Sequence, residues 1–370
     1  MNKELFKSIN LKEKNEKELE LVLAQIVKGI EKIDLDAAKG MQDRLDGKIK
    51  PLRSLGVLED IAVQVAGVQR TTHPQINGKA VLLMAGDHGV VCEGVSAAPQ
   101  EVTAQLFYSY LSGGGGINVL TNHAGAKLIC TDIGIAGPLD PPELMSNRIK
   151  NATDNMAIGP AMSREDALRA LLTGAKIAEE AIQSGINVLA TGEVGIGNTT
   201  PSAAIITAIT GCSVEDATGS GTGLKNDALI NKHEVIKKAI KINKPDVNDP
   251  IDILAKIGGL EIAAMTGAII QAAYHNVPTI LDGIISSAAA LVASKFNPNT
   301  VEYMITSHSS EEKGELVALK HIGLEPRLFL NMRLGEGTGA ALMFHLVEAA
   351  IKIADEMATF DTAGVTTGDF

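Results

Sequence analysis

Ala80-Val81-Leu82-Leu83-Met84-Ala85, ending at Gly86-Asp87, is the stretch that decides the fold. A short apolar run closed by turn residues reads as a buried strand. Similar runs recur at Ala126–Ile133, Ile186–Thr191, Val277–Leu281 and Val301–Thr306. Helical patterns fill the intervals near 99–111, 163–184, 225–242, 259–274, 284–295 and 311–322. Ser163 with Asp166 three residues later resembles a capping box opening the second of these. Strand–helix alternation on this scale predicts an α/β fold, a mostly parallel sheet with helices on both faces. Before it, Leu19, Leu21, Val22, Ile26 and Ile30, then Leu55, Leu58, Ile61, Ala62 and Val65, recur at helical spacing. After it, Ala340 to Ala358 returns to helix. The expected organisation is therefore an N-terminal helical part (1–75), an α/β catalytic domain (76–339) and a C-terminal helix (340–370). The two terminal segments would join as one small helical domain.

The 370 residues are 45% hydrophobic, yet Trp is absent and aromatics make up 3%. The core must be built from Ala, Val, Ile, Leu and Met, and aromatic platforms for stacking nucleic-acid bases are not expected. The 33 basic and 44 acidic residues give a net charge of −11, which disfavours nucleic acid or an anionic membrane as partner. No apolar stretch reaches membrane-spanning length, and no signal peptide is visible in Met1-Asn2-Lys3-Glu4-Leu5. Cys92, Cys130 and Cys212 are widely separated, without metal-ligand spacing. A cytoplasmic setting is the simplest expectation.

In parallel sheets, ligands bind where strand ends run into helix starts, and the glycine clusters fall there. Gly192–Pro201, Asp282-Gly283 and Ser307-His308-Ser309-Ser310 each follow a predicted strand. Thr200 stands where a dinucleotide fingerprint needs glycine, and no Gly-Lys precedes Ser or Thr, so neither that motif nor a P-loop is present. Leu334-Gly335-Glu336-Gly337-Thr338-Gly339 sets a carboxylate between glycines ahead of a helix. Glycines allow positive φ and close approach to a ligand, and a helix start offers free N–H groups to an anion. A carboxylate would repel phosphate there, so it suits a general base beside a phosphate cradle. Glu193 sits between glycines in the same way, as a second acid or an acceptor-binding group. Asp87-His88 lacks the companions of a metal site, and Lys232, among Lys237, Lys238 and Lys241, reads as solvated surface. These residues support an α/β enzyme acting on a phosphorylated small molecule, without naming it.

Met84–Val90, Glu93-Gly94-Val95-Ser96 and Pro99–Thr103 together resemble the nicotinate-nucleotide–dimethylbenzimidazole phosphoribosyltransferases. So do Gly192–Pro201, Lys256–Glu261, Leu281-Asp282-Gly283 and Met332–Gly337, and Lys50–Gly56 is similar with small departures. The resemblance runs from about residue 50 to 363. It implies a homodimeric enzyme that exchanges the base of nicotinate mononucleotide for a benzimidazole, giving an α-riboside 5′-phosphate for the lower ligand of cobamides. No metal or organic cofactor is implied.

By the same resemblance Glu336 is the proton acceptor and Glu193 its support. Lys232 moves from surface lysine to a phosphate or ribose contact. Gly195, Thr199, Gly221, Gly283, Ser310 and Gly335 become nucleotide contacts, and Ala98, Leu106, Val194 and Leu334 the acceptor pocket. Benzimidazole-using members can carry polar side chains at the positions of Ala98 and Leu106. Their apolar character here leaves a phenolic acceptor (phenol or p-cresol, giving an O-glycoside) as an alternative. Two further alternatives are a non-catalytic partner subunit and a metal hydrolase using Asp87, His88 and His308.

Overall fold

The computed structural model describes residues 4–221, 223–224 and 227–366. Five strands, β1 (Lys79–Gly86), β2 (Lys127–Gly134), β3 (Val188–Val194), β4 (Thr279–Leu281) and β5 (Met304–Thr306), form one sheet in the order β2-β1-β3-β4-β5. All neighbouring pairs are parallel, with Ala80 opposite Lys127 and Leu189, and Leu189 opposite Thr279. This is the α/β architecture expected from the strand–helix alternation.

The central strand explains its own sequence. Ala80, Leu82 and Met84 enter one hydrophobic core, and Val81, Leu83 and Ala85 enter the other. With both faces covered, no polar position alternates with the apolar ones. On the Leu82 side lie helices Glu16–Lys28, Arg164–Gln183, Thr199–Thr210, Leu260–Tyr274 and Ile284–Phe296. On the Val81 side lie Leu35–Asp46, Val57–Gln69, Gly116–His123 and Thr338–Glu356. The N-terminal helices thus divide between the faces. The C-terminal helix packs on Val57–Gln69, and both share a continuous core with Val81 and Leu83. No helix among the described residues is long and apolar enough to cross a membrane.

Helices Arg164–Gln183 and Leu260–Tyr274 make the closest packing. A Cβ at Gly174 would lie 1.8 Å from the Ala264 carbonyl oxygen, and one at Gly267 1.8 Å from that of Leu171. The capping box is formed, with Ser163 accepting from the Asp166 N–H and Asp166 reaching back to the Ser163 N–H.

Among the described residues, three helices of eight residues or more were not foreseen, besides the single turns Val214–Ala217 and Phe360–Ala363. Thr199–Thr210 is buried on nearly every side, so it has no polar stripe to set its period. Gly116–His123 follows the glycine run 113–116, which reads as loop. Pro250–Ile257 starts on a proline, with the Asp249 carboxylate accepting from the Ile251 and Asp252 N–H groups. The strand expected at Val301–Thr306 shortens to Met304–Thr306, preceded by a 3-10 turn at Pro298–Tyr303. Of the helix expected over 225–242, residues 225 and 226 lie outside the described residues, and the described part is Asp227–Asn243.

Strand order reverses between β1 and β3. In open parallel sheets the crevice beyond such a reversal is where ligands bind.

Candidate active site

A cavity of about 440 Å³ opens at that crevice. The ends of β3 and β4 and the loops after β5 and before Thr338–Glu356 supply Glu193, Val194, Gly195, Thr199, Gly283, Ser310, Leu334, Gly335 and Glu336, while Leu106 and Gly221 close it. Among the sequence-predicted residues, Ala98 is not part of the lining; its N–H donates to Ser96 Oγ at 3.2 Å. Lys232 is buried beside the cavity rather than lining it, with Nζ donating to Thr199 Oγ1 at 2.8 Å.

The loop carrying Glu336 is wound tightly. Gly335, Glu336 and Gly337 have φ of 81°, 64° and 90°, a left-handed run costly for a side-chain residue. Gly337 is required: a Cβ there would lie 3.0 Å from Gly192 Cα and from the Thr191 carbonyl oxygen of β3. Two carboxylates from other strand ends fasten this loop. Asp282, at the end of β4, accepts from the N–H groups of Gly337 (3.1 Å), Gly339 (2.9 Å) and Ala340 (3.1 Å), capping the helix N-terminus. Glu193 accepts from the Glu336 N–H at 3.3 Å and from the Asn198 side-chain amide.

The Glu336 carboxylate itself takes the Ile117 N–H on Oε2 at 3.2 Å. That amide belongs to the first turn of Gly116–His123, whose dipole favours negative charge. The Tyr110 hydroxyl lines the cavity, buried and without a hydrogen bond of ordinary geometry. Burial, then the negative charges of Glu336 and Glu193, push its ionisation far up, so it stays a neutral donor.

Glu193 is in a different state. Burial, reinforced by the charge of Asp282, pushes its carboxyl up to about 8, so it holds a proton at neutral pH. A protonated carboxyl has no free charge with which to take up a further proton. Asp282 is also raised, burial outweighing the neighbouring His308 and its three amide donors.

Burial pushes the Lys232 ammonium down to about 8, against the opposing pull of Glu312. Around it, Gly221 donates its N–H to Glu312 Oε1 at 2.8 Å, and a Cβ at Gly221 would come within 3.0 Å of Lys232 Nζ. A buried cation, a threonine hydroxyl and a glycine turn make a cradle fit for a phosphate. Lys232→Met keeps the packed stem and removes the charge. It is expected to raise the KM for a phosphorylated substrate about 10–100-fold; steady-state kinetics check this.

Asp87 and His88 are occupied elsewhere. Asp87 accepts from Thr103 Oγ1 at 2.6 Å and from the Ala136 N–H at 2.8 Å. Thr103 Oγ1 in turn receives the Ile196 N–H at 3.0 Å, bracing the β3 loop. His88 pairs with Glu261 at 2.8 Å. Burial opposes its charged form, but Glu261, by charge and hydrogen bond, outweighs it and leaves the imidazole raised. Among the described residues, no cluster of three or more His, Cys, Asp or Glu has the arrangement of a metal site.

Sequence reasoning passed over Asn198 and Tyr110, and it met Asp282 only as a strand end. Asn198 lies inside Gly192–Pro201, where an amide between a glycine turn and a helix start is a usable signal. Tyr110 offered none, since it fits the apolar pattern of its helix.

A family model described as phosphoribosyltransferase matches residues 30–365. The nicotinate-nucleotide–dimethylbenzimidazole phosphoribosyltransferase of Desulforamulus reducens is 50% identical over 94% of this chain and 99% of its own length. Its counterpart in Geotalea uraniireducens is 47% identical over the same shares. The crystal structure of CobT from Thermus thermophilus superposes with a TM-score of 0.86 at 39% identity, covering 90% of this chain and all of that one.

Proposed function

This chain belongs to the nicotinate-nucleotide–dimethylbenzimidazole phosphoribosyltransferase family, and from that premise we propose how its cavity performs the transfer. The donor is nicotinate mononucleotide and the acceptor 5,6-dimethylbenzimidazole, the substrates carried in the relatives' names. Those names favour a benzimidazole over a phenolic acceptor, and Ala98 lies off the cavity wall.

The nicotinate ring leaves as a neutral pyridine from a cationic pyridinium, so it needs no general acid. Positive charge passes to the ribose, as in glycoside cleavage. The incoming benzimidazole attacks C1 through one ring nitrogen and sheds the proton on the other. Glu336 accepts that proton, and its charge also steadies the cationic ribose. Lys232, Thr199 and Gly221 hold the 5′-phosphate, with the main chain at Gly195, Gly283 and Gly335 and the hydroxyl of Ser310 completing the nucleotide contacts. Val194, Leu106 and Leu334 flank the acceptor. The single observation behind this reading is Glu336 at the cavity, held by two strand-end carboxyl groups. Incubation with nicotinate mononucleotide and dimethylbenzimidazole should release nicotinate; absence of release would refute it.

Glu193 supplies a pH signature. Above about pH 8 it ionises beside Asp282 and Glu336, loosening the loop, so kcat is expected to fall there. Glu193→Gln should keep its kcat above pH 8, where loss of the Lys232 charge would show in KM instead, while remaining within about tenfold of the parent near neutrality. Stability carries the same sign. The folded protein retains this proton to about 8, the unfolded chain only to about 4.5, so the carboxyl's stabilising contribution falls as pH rises through that window. The variant's melting temperature should depend less on pH between 5 and 8.

The enzyme acts as a homodimer in the cytoplasm, in this reading. Phe329 is 77% exposed, with Leu330 and Leu334 exposed on the same segment. Leu334 lies against Gly116 at the start of the helix bearing exposed Val119. Such an apolar rim fits a subunit interface. Light scattering should give twice 38.7 kDa, and Phe329→Glu should halve it.

A further inference from the structure

A second cavity, of about 400 Å³, lies beside the edge strand β2 and shares no lining residue with the first. Its walls are the N-terminal segment 9–12, the segment 146–149, and Arg169, Thr173 and Lys176 of helix Arg164–Gln183. Lys12, Arg148, Arg169 and Lys176 line it, and no acidic residue does, in a chain of net charge −11.

The two arginines are held in place, and the two lysines stand at the solvent edge. Arg148 Nε donates to Asp132 at 2.6 Å, and its Nη1 to the carbonyl of Gly137 and to Asn151. Arg169 donates to the carbonyls of Lys12 and Lys14 and to Glu165, and Lys176 faces Glu180 at 3.6 Å. None of these carboxylates is part of the lining. The Ile149 N–H is bonded to the Ile133 carbonyl of β2, so this wall belongs to the sheet edge.

Two donors are left over. Arg148 Nη2 and Arg169 Nε are buried without a hydrogen-bond partner, and the Arg148 side chain is only 10% exposed. A buried guanidinium N–H with nothing to bond is costly, and an anionic oxygen is the group that best satisfies it. Ile9, Leu11 and Ile149 add an apolar wall, so the cavity suits more than a bare ion.

We propose that this cavity is a second ligand site, for a small organic anion that presents a phosphate or carboxylate to Arg148 and Arg169 and an apolar body to Ile9, Leu11 and Ile149.

The test uses phenyl phosphate and, in a parallel arm, benzoate, with hydrogen–deuterium exchange locating the ligand on the full chain. Protection of segments 9–12, 146–149 and 169–176 is expected, and the stronger arm identifies the anionic group. Lys12→Glu with Lys176→Glu alters side chains at the solvent edge and leaves the buried arginines intact. It should weaken binding at this site at least about tenfold at unchanged melting temperature. Protection confined to the cavity of Glu336 and Thr199, no protection at millimolar ligand, or unaltered affinity in the double variant would each overturn the proposal.

Discussion

Replacing Glu336 by Gln is expected to lower turnover of nicotinate mononucleotide with dimethylbenzimidazole at least ~100-fold, the loss typical of a removed general base. The substitution is nearly isosteric. The amide oxygen still accepts the Ile117 N–H, and Asp282 and Glu193 still fasten the main chain on either side. Gln adopts the positive φ of residue 336 at much the same cost as Glu. Little change in melting temperature or KM for the nucleotide is therefore expected, and the defect should sit in kcat. Steady-state assays together with thermal melts test this. Near-parent kcat in a folded variant would remove Glu336 from the role of base.

The largest expected loss of stability lies far from the chemistry, at Gly267. Alanine is worth ~1 kcal/mol over glycine in a helix interior. Here, however, its methyl group would meet the Leu171 carbonyl oxygen of the opposing helix, which is main chain and cannot swing aside. Overpacking of this kind costs roughly 1–3 kcal/mol or more. Gly267→Ala should therefore unfold at clearly lower urea concentration with an unchanged denaturant slope. Gly174→Ala should behave alike. The double variant should lose less than the sum, because helices already forced apart leave room for the second methyl. A midpoint equal to the parent's would show that the helices separate at no cost.

Sequence and structure agree most where a residue's local surroundings decide its state. β1 was legible because cover on both faces removes every polar position from it, and the capping box at Ser163 because its partners are three residues apart. Glu336 was legible through the glycines that its left-handed loop demands. Lys232 was not: its helix carries lysines that do face water, and only the tertiary fold buries this one. The cap that Asp282 provides joins residues 55 or more positions apart. No local pattern encodes such a contact. Thr199–Thr210 escaped notice for the opposite reason, since burial on all sides erases the periodicity by which a helix is read.

The order in which the chain is made has a bearing on when the protein becomes competent. Every strand of the sheet is complete by Thr306, yet Glu336, the proposed proton acceptor, and the helix that begins beside it follow thirty residues later. A chain that stopped ahead of Met332 would lack Glu336 and, with it, the helix that covers the Val81 face of the sheet. In the proposed mechanism the same late segment therefore supplies the base and completes the core.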